Sequence, residues 1–249
     1  MNSLSKNQLK NLIAFRQQKR CDEDGVFVVE GVKMCDEALQ SSFKIITICG
    51  TTEYLQSHRS ILPPSSDIYE VNGEQLERLS NQRTPNKVWM LVERVYPAPN
   101  TTANTLVLAL DGLQDPGNMG TIMRTADWFG IRRIVCSHDT VSCYNPKVVQ
   151  SSMGAIFRTN VEYCDLAEKL DSLSKEGFSI YGAMLDGESI YKAEKKSPSV
   201  LVIGNEGHGI SEKISSKIER RLTIPNIGGT CESLNAAVAT AILVSEFYR

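Results

Sequence analysis

The sequence predicts an α/β protein in two parts, a small N-terminal α/β domain over residues 1–95 and a C-terminal domain with a parallel sheet over residues 105–249. Three observations carry that expectation. Short apolar runs of strand length alternate with segments whose apolar residues recur at helical spacing. A Pro/Asn/Thr-rich stretch, YPAPNTTANT at 96–105, interrupts the alternation and reads as a linker over 96–104. In the second part strands again alternate with helical segments, the crossovers that parallel strands need.

The elements follow in order. Leu4, Leu9, Leu12, Ile13 and Phe15 suggest an amphipathic first helix. VFVVEG (26–31) is a strand, VKMCDEALQ (32–40) a helix, KIITIC (44–49) a strand and TEYLQSHRS (52–60) a helix. DIYEV (67–71), GEQLERLS (73–80) and KVWMLVERV (87–95) complete the first part as strand, helix, strand. TLVLALDG (105–112) opens the second part as an apolar strand of the kind buried on both faces. Pro116 suits the first turn of a helix, Asp115 its N-cap and Gly130 its end. RRIVCS (132–137) is a strand, NPKVVQSSMGAIF (145–157) a helix, VEYC (161–164) a strand, and DLAEKLDSLSKEG (165–177) a helix ending at a glycine. FSIYGAM (178–184) and SVLVIGN (199–205) are strands, SEKISSKIE (211–219) a helix and RLTIPN (221–226) a strand. ESLNAAVATAILVSEFYR (232–249) reads as a long closing helix.

Composition narrows the class. Hydrophobic residues make up 41% and charged residues 22%, as in ordinary globular proteins. No stretch approaches the roughly 18–20 apolar residues of a membrane helix, so no membrane partner is expected. The N-terminus, MNSLSKNQLKNLIAF, has no apolar signal core, and a cytoplasmic setting is expected. The seven cysteines form no C-x-x-C pair and read as reduced thiols. His58, His138 and His208 lie far apart, so no metal site is expected. A net charge of −2 argues against a protein that coats nucleic acid without specificity. Residues 1–20 nevertheless hold Lys6, Lys10, Arg16, Lys19 and Arg20 with no acid, either a phosphate contact or a solvated helix face.

Three glycine-bearing loops follow strands of the second part: LDGLQDPGNMG, IGNEGHGIS (203–211) and IPNIGGTCESLN (224–235). Ligands of open α/β sheets bind at the carboxyl ends of strands, and glycine lets backbone approach them closely. Three such loops point to one shared ligand site. DPGNMG supplies only G-x-x-G, so a dinucleotide fingerprint is missing; a P-loop and a G-x-S-x-G elbow are absent too. The loops offer backbone amides, amide side chains and small apolar residues (Ile203, Ile224, Ile227, Leu234), which suits a flat heterocycle with a weakly charged tail. On a helical wheel Met119, Ile122, Met123 and Ala126 share the core arc, while Arg124 lies off it near Thr121 and Trp128. Arg124 is therefore either a solvent-facing helix arginine or an arginine at the mouth of the site. Glu206 either caps a turn or pairs with a base. Ser233 and Asn235 either cap the last helix or hold a substrate hydroxyl.

At these loops the sequence closely resembles the SpoU (TrmH-like) family of RNA ribose 2′-O-methyltransferases, of the SPOUT class. The matches are DPGNMGTIMRTADWFG, VIGNEGHGIS and IPNIGGTCESLNAAVATAI, in family order, and VFVVEGVKMCDEAL looks like that family's small ribosomal-protein-like substrate-binding domain. The resemblance implies S-adenosylmethionine as cofactor, a SPOUT domain with a deep trefoil knot, a homodimer whose site is completed across the interface, and RNA as partner. Residue by residue, it implies a catalytic set of Asn118, Arg124, Glu206, Ser233 and Asn235. It implies cofactor contacts at Gly204, Ile224 and Leu234, with Ile203 and Gly209 in the same wall. Two departures stand out: Asn226 where the family most often has Met after Ile-Pro, and a loop from Ile224 to Ser233 one residue longer than the commonest spacing.

The implied reaction is methyl transfer to a ribose 2′-hydroxyl of RNA, with 23S ribosomal RNA ahead of tRNA. Arg124 is either the base or a clamp on the neighbouring phosphate and the developing alkoxide. The first domain, with 12 basic and 12 acidic residues over 1–99, would recruit folded RNA through part of its surface only. The other readings are a tRNA 2′-O-methyltransferase and a catalytically silent RNA-binding or assembly factor. A nicotinamide dehydrogenase is disfavoured by the missing fingerprint.

Overall fold

The fold is that of a computed structural model, which describes residues 2–82, 84–95 and 106–249; the expected linker at 96–104 lies outside the described residues. The chain divides into two units, Met1–Tyr96 with Tyr144–Phe157, and Pro97–Cys143 with Arg158–Arg249.

In the first unit, β1 (Asn2–Ser3) leads to α1 (Lys6–Ile13), whose N-cap Ser5 forms a capping box with Gln8. Leu4, just before the cap, and Leu9 share one apolar cluster with Leu12, which pins the helix entry. The single helix expected here is broken: a 3₁₀ turn at Ala14–Arg16 and an extended Gln17 separate α1 from α2 (Gln18–Asp24). The chain continues through β2 (Val26–Glu30), α3 (Val32–Gln40), β3 (Ile45–Gly50), α4 (Thr52–Ser57), β4 (Asp67–Glu70), α5 (Gly73–Leu79) and β5 (Val88–Glu93). The sheet order is β1-β4-β3-β5-β2, with β5 antiparallel to both neighbours and the β1–β4 and β4–β3 pairs parallel.

The second unit runs β6 (Leu106–Leu110), α6 (Pro116–Trp128), β7 (Arg133–Ser137), then β8 (Asn160–Cys164), α8 (Leu166–Lys175), β9 (Ser179–Ser189), β10 (Ser199–Ile203), α9 (Glu212–Ser215), β11 (Arg220–Thr223) and α10 (Ala236–Phe247). Helix α7 (Pro146–Ser152) lies between β7 and β8 in sequence. It belongs to the first unit, where the rings of Tyr144 and Phe157 lie 4.8 and 6.3 Å from Phe27. The helix expected over 145–157 stops early because Met153 and Gly154 both adopt positive φ, 50° and 95°. Other helices are also shorter than expected: α4 ends at Ser57, α9 spans four residues, and α10 starts at Ala236 because Asn235 caps it.

The six strands of the second unit are all parallel, in the order β11-β9-β10-β6-β7-β8. Strands β6 and β10 are buried along their whole length, which explains their unbroken apolar runs. From β6 the chain moves one way through β7 and β8, then returns to build β9 and β10 on the other side. The order therefore reverses between β6 and β10, where Ile203 pairs with Leu110. That reversal places the loops after both strands side by side, at the crevice where open α/β sheets bind ligands. Leu108, fully buried at the middle of β6, is expected to cost about 2–5 kcal/mol when cut to Ala; urea unfolding of Leu108→Ala measures it.

Candidate functional site

The loops after β6 and β10 are sewn together at their roots. Asp111 extends the strand pairing by donating its N–H to the Ile203 carbonyl (2.9 Å), and its buried carboxylate accepts from the Ser211 N–H (2.7 Å). Asn205 works across the same gap. Its Nδ2 donates to the Gly112 carbonyl (2.7 Å), and its Oδ1 accepts from the N–H groups of Gly207 and His208 (2.8 and 3.1 Å). Asn205 and Gly209 also exchange both backbone hydrogen bonds at 2.9 Å. This folds the loop tightly onto its own start. A Cβ on Gly204 would stand 2.2 Å from the Gly209 carbonyl carbon, so position 204 accepts no side chain without opening the loop. Gly209 itself sits at φ +68°.

One side chain joins all three loops. Asn118, in the first turn of α6 and 7% exposed, donates through Nδ2 to Glu206 Oε1 (2.9 Å) and accepts at Oδ1 from Asn235 Nδ2 (2.8 Å). Each partner is itself held. Glu206 accepts from the N–H groups of Gln114 (3.2 Å) and Asp115 (3.1 Å). Asn235 caps α10 by accepting from the N–H groups of Ala237 and Val238 (2.9 and 3.2 Å). Asp115 caps α6 by accepting from the Asn118 N–H at 2.7 Å. Burial pushes the Glu206 carboxyl up, but the Asn118 amide and the surrounding backbone N–H groups outweigh it and hold the group below the ordinary glutamate value.

Of the residues singled out in the sequence, the structure therefore brings Asn118, Glu206 and Asn235 into one hydrogen-bonded chain. Ile203 is buried at the end of β10, and Gly204 and Gly209 lie back to back in the loop that follows. Ile224 is half-buried just past β11. Ser233 and Leu234 are exposed, immediately before the α10 cap. Arg124 is exposed on the outer face of α6, one turn from Trp128, which is 86% exposed. Among the described residues Arg124 has no hydrogen bond or ion pair. Among the described residues, His208 takes part in this bonding through its backbone N–H. Sequence reading missed Asp111 and Asn205; the available signal was an Asp and an Asn directly after buried strands, positions where short polar side chains bond the backbone.

The fold defines a parallel α/β domain whose strand order reverses between β6 and β10, and comparison with known proteins places it. Residues 105–245 match the family model described as SpoU rRNA Methylase, and residues 6–89 match that of the MRM3-like substrate binding domain. The chain belongs to the SpoU rRNA methylase family. It is 31% identical over 244 residues to the 23S rRNA (guanosine(2553)-2′-O)-methyltransferase RlmP of Bacillus subtilis, covering 96% of each chain. A solved TrmH-family structure from Porphyromonas gingivalis superposes with a TM-score of 0.89 at 39% identity over 98% of both chains. An AdoMet-bound rRNA methyltransferase from Sinorhizobium meliloti superposes at 0.88 with 26% identity, over 99% of this chain and 96% of the other.

A carboxyl held low in the folded state stabilises above its unfolded titration and loses that contribution as pH falls through its folded one. The loop tie is thus expected to weaken only under acid conditions. Asn118→Ala should move the Glu206 titration upward, read by carbon-13 NMR of the side-chain carboxyl, and destabilise the fold by about 1–3 kcal/mol. An unmoved titration would mean that the amide does not hold the carboxylate.

Proposed function

We propose that this protein transfers a methyl group from S-adenosylmethionine to a ribose 2′-hydroxyl of RNA, with 23S ribosomal RNA as the substrate. The observation that carries the reading is the Asn118 tie, which gathers all three family motifs at the sheet's reversal point. The residues present fit the cofactor. Gly204 leaves backbone bare where any side chain would collide with the Gly209 peptide, Gly209 holds a positive φ of 68°, and Leu234 and Ile227 offer exposed apolar surface at 50% and 94%. Gly204, Ile203, Gly209, Ile224 and Leu234 would hold the adenosine. When bound, S-adenosylmethionine supplies an electrophilic methyl group on a sulfonium.

The chain's own residues do the rest. A guanidinium makes a poor base and a good anion partner, so Arg124 acts as a clamp. It pairs with the RNA phosphate beside the acceptor ribose and stabilises charge developing on the 2′-oxygen, while the phosphate carries the proton away. Asn118, Glu206 and Asn235 fix the loops around the reacting atoms, and Ser233 faces the substrate from the third loop. Orientation of this kind supplies much of the rate of a displacement.

The finer parts of the reading share this status. Residues 1–95 form the ribosomal-protein-like RNA-binding domain and 105–249 the methyltransferase domain, apart from Tyr144–Phe157, which belong to the first unit. Exposed Lys6, Lys10 and Lys19 support phosphate contact by the first, whereas Arg20 is paired with Asp24 at 2.7 Å. The deep trefoil knot is supported by the return of the closing segment, through Asn235, to the start of α6. A homodimer is supported by the apolar exposure of Trp128, Val238 and Tyr248 on α6 and at α10. A cytoplasmic setting accords with cysteines that form no disulfide among the described residues; no helix of the described residues is long and apolar enough to cross a membrane.

Mapping 2′-O-methyl sites in total RNA with and without this protein tests the activity. A lost site in 23S rRNA supports it, a lost site in tRNA moves the substrate, and no lost site overturns it. Arg124→Ala is expected to lower turnover by about 10²–10³-fold or more while sparing the melting temperature and cofactor affinity; wild-type turnover would remove Arg124 from the mechanism. Trp128→Glu should shift sedimentation from dimer to monomer and abolish turnover with it.

A further inference from the structure

The third loop departs from the family's commonest pattern at Asn226, and there the structure shows a device of its own. The Asn226 carboxamide makes four hydrogen bonds, all to the backbone of its own loop. Oδ1 accepts from the N–H groups of Gly228 (3.0 Å) and Gly229 (2.7 Å), and Nδ2 donates to the carbonyls of Gly229 (3.1 Å) and Cys231 (3.4 Å). The loop is otherwise poor in restraints. Residues 226–235 are all exposed, and two glycines at 228 and 229 leave the backbone free to wander, with Gly228 at φ +98°. Burial cannot order this segment. The Asn226 side chain stands in for the missing core: its bonds close residues 226–231 into a frame that carries Ile227, 94% exposed, with Leu234, 50% exposed, three residues beyond it.

Apolar side chains kept in water by a hydrogen-bonded frame gain only when something covers them. We propose that Asn226 is the positioning residue of the cofactor loop: it pre-orders residues 226–231, so that Ile227 and Leu234 meet the flat adenosine moiety without the loop first having to be ordered. The assignment rests on the methyltransferase reading above and adds to it the residue that sets cofactor affinity. An unordered loop binds the same ligand more weakly because ordering is then charged to binding. Once the complex is formed the ordering has been met, so the chemical step is unaffected. The extra residue between Ile224 and Ser233 is accommodated by this same frame, since the Nδ2 bonds to Gly229 and Cys231 draw the added length back on itself.

The test compares full-length wild type, Asn226→Ala and Asn226→Asp. Asn226→Ala loses all four bonds. Asn226→Asp keeps the acceptor for Gly228 and Gly229 and loses the donor. Calorimetry with S-adenosylmethionine and steady-state methylation of unmodified ribosomal RNA are the readouts, with thermal melting as the control for folding. Asn226→Ala is expected to weaken S-adenosylmethionine binding and raise its KM by about tenfold or more, with kcat at saturating cofactor within about twofold of wild type and an unchanged melting temperature. Asn226→Asp should fall between the two. Wild-type KM in Asn226→Ala, or a fall in kcat with KM unchanged, overturns the assignment alone. A wild-type chain that does not bind S-adenosylmethionine overturns the functional reading and the assignment with it.

Discussion

A buried carboxamide has two ends, and both must be satisfied. Asn118 presents donors at Nδ2 and acceptor lone pairs at Oδ1, and in a site 7% exposed neither can be left to water. The structure answers with a carboxylate on one side and a second amide on the other, 2.9 and 2.8 Å away. That polarity dictates the residue types around it. Aspartate at 118 would offer no donor to Glu206 and would set two carboxylates against each other; leucine would remove the Asn118 donor from Glu206 and the acceptor from Asn235 Nδ2. Because Glu206 also receives the N–H groups of Gln114 and Asp115, and Asn235 receives those of Ala237 and Val238, the amide couples two helix starts and one strand-end loop into a single cooperative unit.

The sheet makes that coupling geometrically possible. Adjacent parallel strands end at the same edge, so the in-register pair Leu110–Ile203 brings loops together that lie some ninety residues apart in sequence. Asn205, bonded to the Gly112 carbonyl, and Asp111, bonded to the Ser211 N–H, then fix how those loops leave the edge. Gly204 completes the constraint from the steric side. The Gly209 peptide lies where a Cβ on residue 204 would stand, so the loop closes in this way only with glycine there.

Most of this was legible in the sequence where local chemistry decides the outcome. The capped start of α6 at Asp115–Pro116, the stop at Gly130 and the unbroken apolar runs of β6 and β10 all follow from short-range rules, and the structure has them. The failures have tertiary causes. Residues 145–157 carry a helical pattern, but positive φ at Met153 and Gly154 cuts the helix, and the aromatic contacts of Tyr144 and Phe157 with Phe27 tie the segment to the first unit. The closing helix starts four residues later than its apolar pattern suggests, because Asn235 spends its side chain on the cap and on Asn118 at once. Asn118, Glu206 and Asn235 were nameable from motif resemblance, yet nothing in spacing could reveal that they bond one another. Asp111 and Asn205 escaped because a polar residue after a strand has many uses, and only the folded sheet edge selects one.

Against this closely bonded background, Arg124 stands apart. The protein readily satisfies arginines elsewhere: Arg132 and Arg158 share the two oxygens of Asp127 at 2.8 Å each, one turn along the same helix. Asp127 lies three residues from Arg124, close enough in helical spacing to pair with it, and instead turns to those two. A guanidinium already bound to a carboxylate must break that pair before it can take a phosphate, and loses much of the gain in doing so. One left without a protein partner keeps its five donors for an anion that arrives from outside. The division within the site is therefore physical. Groups that shape the crevice are bonded to one another in advance, and the group proposed to meet the RNA is held on a rigid helix with its charge uncommitted.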